Sequence, residues 1–154
     1  MDRIITASAA HGTVSLVAGI TSGVVREARD RHDLAPTSSA AVGRLLTAAA
    51  LLGASLKGRE RLTLQVVGDG PIGSITADAW STGTRAVGAR AYARNGHADL
   101  PLNALGKFDV AGVIGAGQLQ VTRTYEVGQP YSGIVPLASG EIGDDVAAYL
   151  ANSE

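Results

Sequence analysis

The sequence has no cysteine, one tryptophan, one phenylalanine and one methionine in 154 residues. Without cysteine this chain carries no disulfide framework, no thiolate zinc site, no iron–sulfur cluster and no thiol chemistry. That fits a reducing compartment. An excess of one charge is missing too, because thirteen basic residues face fourteen acidic ones. Such a balance makes no field that would draw in nucleic acid or an anionic membrane. No apolar h-region follows Met1-Asp2-Arg3-Ile4, so no secretory signal is read. The longest apolar stretch, 45–56, is broken by Thr47 and Ser55. It is shorter than the roughly 20 apolar residues of a bilayer span, and reads as a buried helix. The expected location is cytoplasmic. What is present is 45% apolar and 18% charged residues, with twenty glycines. These figures describe a folded chain of one domain, or two small lobes, with a real core.

Periodicity sets out the elements. Residues 3–8 and 13–20 read as strands around the turn Ala10-His11-Gly12, with Val14, Leu16, Ala18 and Ile20 sharing a face. Thr21 or Ser22 can cap a short, highly charged helix ending near Leu34, its inward stripe being Val24, Val25, Ala28 and His32. Pro36 disfavours helix at Ala35, and Thr37 or Ser38 offers a cap for a helix over 38–57. That helix is apolar nearly all round, so it must be enclosed. Strands follow at 61–67, 74–80 and 85–92, joined by glycine-bearing turns, and imply an antiparallel meander. Residues 109–114 fit either a short helix or a strand. Further strands fall at 118–125 and 131–137, and a last helix at 141–154, where Ser139 or Gly140 can cap. The predicted class is α+β: an antiparallel sheet packed against a long apolar helix and shorter ones.

Chemical motifs are few. Gly68-Asp69-Gly70-Pro71-Ile72-Gly73 has a G-x-G-x-x-G outline. A dinucleotide site needs that outline to run from a strand into a helix, whereas a strand follows here and Pro71 removes a donor. It reads as a hairpin turn; an anion- or nucleotide-binding enzyme built on residues 68–73 is the rival reading. His11, His32 and His97 have no metal spacing. Glu141, Asp144 and Asp145 suit the start of a helix, where the dipole favours carboxylates. No nucleophile, base and orienting group assemble, so the residues argue against an enzyme and give no catalytic, cofactor or metal residue. The sheet offers one apolar face: Leu62, Leu64, Val66, Ile75, Ala77, Val87, Ala89, Leu119 and Val121. Its other face, with Thr63, Gln65, Val67, Thr76, Asp78, Trp80, Arg90 and Tyr92, is mixed. Aromatic residues there suit contact with a partner.

These segments resemble a known family. Ala41-Val42-Gly43-Arg44-Leu45-Leu46-Thr47-Ala48-Ala49-Ala50-Leu51-Leu52-Gly53-Ala54-Ser55-Leu56-Lys57-Gly58 resembles the long helix of the redox-regulated 33 kDa heat-shock chaperonins. So do Leu62-Thr63-Leu64-Gln65-Val66-Val67 with its glycine turn, and Ser139-Gly140-Glu141-Ile142-Gly143-Asp144-Asp145 with Tyr149-Leu150-Ala151-Asn152-Ser153-Glu154. The resemblance runs in order through nearly the whole chain. It implies an α+β core and a cytoplasmic, ATP-independent holdase for unfolding clients under oxidative heat stress. It also implies a homodimer, in some forms with elements exchanged between subunits. The family's zinc-binding redox switch is a cysteine-rich C-terminal module. No residue here can inherit that role, so 1–154 reads as an N-terminal chaperone core without linker or switch. The surface assigned to clients or a second subunit is the one bearing Val67, Trp80 and Tyr92. The alternative is a structural dimerisation domain whose clients bind elsewhere.

Overall fold

A computed structural model of the chain describes residues 1–83 and 86–153. Arg85, where a strand was predicted to begin, and Glu154, the end of the predicted last helix, lie outside the described residues. In chain order the elements are β1 (Arg3–Ala9), a 3-10 turn (Ala10–Gly12), β2 (Val14–Ile20), α1 (Ser22–His32) and α2 (Pro36–Gly53). Then come β3 (Arg61–Gly68), β4 (Ser74–Ser81), β5 (Val87–Ala93), α3 (Val110–Ile114), β6 (Gly117–Thr124), β7 (Tyr131–Pro136) and α4 (Gly143–Ala151). The class is α+β with two antiparallel sheets, β1-β2 and β5-β4-β3-β6-β7.

The larger sheet is only partly a meander. β6 does not extend it beyond β5 but returns to β3, from Arg61↔Thr124 to Gly68↔Gly117. Backbone bonding makes the return. Asp69 N–H donates to the Ala116 carbonyl at 2.9 Å, and the Asp69 carboxylate accepts from Ala116 N–H at 2.7 Å. The start of β6 is thereby clipped to the end of β3, and β3 becomes the central strand. Residues 109–114 resolve as the short helix α3, with Asp109 accepting from Gly112 N–H at its start.

α2 lies on the sheet's apolar face. Ala41, Leu45, Leu46 and Ala49 are fully buried, as are Leu64, Ile75, Ala77, Ala79 and Leu119. Each fully buried leucine or isoleucine contributes about 1.5–3 kcal/mol. Small residues set the approach: a Cβ on Gly53 would stand 2.8 Å from that of Ala79. α2 begins earlier than its hydroxyl residues suggested. Pro36 is its first residue, after an extended Ala35, which suits proline's fixed φ and missing donor. Thr37 and Ser38 therefore sit inside the first turn, buried, and their hydroxyls donate to Asp99 and to the Ala98 carbonyl. The cap comes from Asp99, whose carboxylate accepts from Thr37 N–H at 3.0 Å. α1 is capped from afar as well. Thr21 bonds Thr47, while the Asp2 carboxylate accepts from Gly23 and Val24 N–H at 2.7 and 2.6 Å. On α1, Ala28 is buried and Val24 and Val25 are half-buried, but His32 is exposed and leaves the predicted stripe.

Candidate interaction surfaces

The outer face of the five-stranded sheet carries the residues expected there. Its middle is a mesh of polar side chains that satisfy one another. Thr63 donates to Asp78 at 2.7 Å, and Arg90 donates to the other oxygen of Asp78 at 2.9 Å. Gln65 donates to Thr76 at 3.3 Å, and Gln120 to Ser132 at 3.1 Å. The first three bonds join direct cross-strand neighbours, Thr63↔Asp78, Asp78↔Arg90 and Gln65↔Thr76, and the last is diagonal.

Val67 and Tyr92 are 40% and 48% exposed, and Trp80 is half-buried. The structure leaves all three on this face but does not gather them. Val67 pairs with Ser74 at one end of β4 and Trp80 stands at the other. Six strand residues put the two roughly 20 Å apart. Trp80 lies across Gly88 of β5, where any Cβ would collide with the indole, and the Arg90 guanidinium lies 6.0 Å from its ring centroid.

The glycine segment 68–73 is a turn. Gly68 N–H donates to the Gly73 carbonyl at 2.9 Å, and β4 starts at Ser74. The acidic residues near α4 divide their work. Asp145 is buried, and its carboxylate accepts from the N–H groups of Ala138, Ser139, Gly140 and Ile142 at 2.7–3.2 Å. This carboxylate, and not Ser139 or Gly140, organises the helix start. Glu141 ion-pairs with Arg44 of α2. Burial pushes the Tyr149 phenol above its usual range. Among the described residues no group of three or more His, Asp or Glu converges as a metal site, and no helix is long and apolar enough to cross a membrane.

Sequence reading missed a second surface. Every residue of β1–β2 is exposed except Ile4. Ile5, Val14, Leu16, Val17 and Ile20 are between 40% and 58% exposed. By register Ile5, Ala7 and Ala9 oppose Ala18, Leu16 and Val14, so they share one apolar face. The ribbon reaches the body through Gly19, where a Cβ would stand 3.1 Å from Leu51 of α2. Beneath it runs a cleft of about 800 Å³, lined by Ile4, Ile20, Ala50, Gly53, Leu56 and Val87 among others. The alternation of Val14, Leu16, Ala18 and Ile20 was legible; that no layer covers it was not.

An α+β domain of two antiparallel sheets, its larger one backed by the long buried helix α2 with shorter helices sharing the same core, is thus the class defined by the fold. The crystal structure of the 33 kDa chaperonin (heat shock protein 33 homolog) of Thermotoga maritima has the same architecture. It matches at a TM-score of 0.89 and 38% identity, covering 97% of this chain and 50% of that one. The family profile described as Hsp33 protein matches residues 2–154. Relatives named 33 kDa chaperonin include those of Nostoc punctiforme, 47% identical over 99% of this chain, and Bacillus velezensis, 44% identical over all of it. The chain belongs to the Hsp33 family. It spans about half the length of these relatives, 50% and 52%.

Proposed function

We propose that this chain is the N-terminal core of a cytoplasmic, ATP-independent holdase, which binds unfolded or oxidatively damaged proteins and keeps them from aggregating. It works as a homodimer, makes no bond of its own and takes no metal or cofactor within these residues. The observation that carries this reading is the supply of bare apolar side chains on ordered backbone, Val67 and Tyr92 on the sheet and five more on the hairpin. A few hundred Å² of such surface gains roughly several kcal/mol on meeting an unfolded segment, before ordering costs. On the sheet, Val67, Trp80 and Tyr92 form the client side, with the polar mesh between them holding the strands in register. A second reading, a structural dimerisation domain, is favoured by the hairpin, whose large apolar side chains are half-exposed.

Light scattering from a heat-denatured client separates the two. Suppression at near-stoichiometric ratio, unchanged by reductant and weakened at least twofold by Val67→Thr with Tyr92→Ser, is the expected result. Absence of suppression by the unmodified chain leaves only the scaffold.

A further inference from the structure

Of the three asparagines in the chain, only Asn95 is followed by glycine. Asparagine carries a latent reaction with its own backbone. The nitrogen of the next residue attacks the side-chain amide carbon, a C–N bond closes a succinimide ring, and ammonia leaves with the proton that nitrogen gave up. Water then opens the ring at either carbonyl. The product is aspartate or, with a methylene now in the main chain, isoaspartate. Because the attack is intramolecular, geometry and access decide its rate. Glycine brings no side chain against the incoming amide. The Gly96 N–H, which must lose its proton, donates no hydrogen bond among the described residues. After Asn152 the next nitrogen, that of Ser153, donates to the Leu150 carbonyl, and after Asn103 the next residue is Ala104, with a Cβ in the way. Asn95 is exposed on a turn, and its Oδ1 accepts from His97 N–H at 3.3 Å. That donor faces the oxygen on which negative charge develops as the amide carbon becomes tetrahedral.

We propose that Asn95-Gly96 is a spontaneous deamidation site of the folded protein, and that its isoaspartyl product loosens the start of α2. The turn is tied to that start through its backbone. Asn95 N–H donates to the Ile72 carbonyl at 3.2 Å, and the Gly96 carbonyl accepts from Ala35 N–H at 2.9 Å, directly before α2. Gly96 also lies close against the link between α1 and α2, where a Cβ would stand 2.7 Å from Leu34 Cδ2. Just beyond the turn, the Ala98 carbonyl accepts from the Ser38 hydroxyl and the Asp99 carboxylate from Thr37 N–H. A methylene added between residues 95 and 96 displaces the partner of Ala35 relative to the partner of Ile72. The side-chain amide that donates to the Pro71 carbonyl at 3.1 Å is consumed as well. A carboxylate, which has no proton to give, is left in its place. None of this depends on client holding or on the homodimer.

Incubation at mildly alkaline pH tests the site. The folded chain should gain an acidic form on anion exchange, and peptide mapping should place the change at Asn95, about tenfold or more ahead of Asn103 and Asn152. Methyl transfer from S-adenosylmethionine to the free carboxyl, by an isoaspartyl methyltransferase, reads the isoaspartyl share. Asn95→Gln, whose longer side chain closes the larger ring far more slowly, should abolish the acidic form with an unchanged circular dichroism spectrum. Conversion at Asn103 or Asn152 as fast as at Asn95 overturns the site. So does an Asn95 that stays intact in the folded chain while the urea-unfolded chain converts. In the separated isoaspartyl form the amides of Ala35 and Thr37 should exchange about tenfold faster, with β3 and β6 still protected. Asn95→Asp, which carries the charge without the methylene, should leave both amides as they were. Equal exchange in the isoaspartyl form and in Asn95→Asp overturns the coupling to α2 through the main chain.

Discussion

In the five-stranded sheet Leu64 and Ile75 are fully buried, whereas in the ribbon Ile5 and Leu16 are more than half exposed. Both regions are antiparallel, both alternate, and both use residues of the same kind. The difference lies in what stands over them. α2 lays Leu45, Leu46 and Ala49 against the larger sheet and shuts it from water. Where Gly19 of the ribbon approaches α2, it does so at Leu51, near the end of that helix. An alternating pattern thus says that a strand has a side to cover, and leaves open whether its own chain does the covering.

The widest gap between the regions should appear on truncation. Leu64→Ala should cost about 2–5 kcal/mol in urea unfolding, the usual loss for a buried leucine. Leu16→Ala, measured at a dilution where the chain is monomeric, should stay within about 0.5 kcal/mol. Equal losses would break the comparison. A smaller effect is expected on the outer face, where Gly88 lets Trp80 lie flat across β5. Gly88→Ala should cost about 1–3 kcal/mol by overpacking, and should red-shift the fluorescence of the one tryptophan as the indole is lifted into water. An unshifted spectrum would show that β5 moves instead of Trp80.

The smallest effect is on acid stability. Gly23 and Val24 N–H groups hold the Asp2 carboxyl below its ordinary range, and Arg123, with the N–H of Lys57, does the same for Glu60. The Thr37 hydroxyl and N–H lower Asp99. A carboxylate depressed in the folded state stabilises above its unfolded pKa of about 4, and that contribution is lost as pH falls through the lower, folded value. Below about pH 4 the ends of α1 and α2 should therefore loosen. Asp2→Asn should bring the α1 and ribbon change to neutral pH, seen as faster amide exchange in residues 3–25 with β3 and β4 still protected. Faster exchange across both sheets at once would mean that the ribbon is no separate unit.

The strands and the two principal helices were legible because each has a strong period: Val14 to Ile20 and Leu62 to Val66 alternate, and 41–53 is greasy all round. Helix starts were less so. Thr21, Thr37 and Ser139 are good cap residues by type, yet the carboxylates of Asp2, Asp99 and Asp145 accept the capping hydrogen bonds, from 21 and 62 residues away in the first two cases. A local rule cannot see a partner brought by the fold. Alternation alone put Val67, Trp80 and Tyr92 on the outer face of the sheet, where the structure has them. Its polar centre was also readable from Thr63, Gln65 and Asp78. The distance from Val67 to Trp80 follows only from the register.

By itself the sequence determined the element types, the buried face of the larger sheet, the turn at 68–73 and the absence of thiol chemistry, because these depend on local period and residue identity. Tertiary structure alone decided that β6 returns to β3, that remote carboxylates cap the helices and that the first hairpin is left bare. Those outcomes turn on which segments meet across long stretches of chain, and no local preference encodes the meeting.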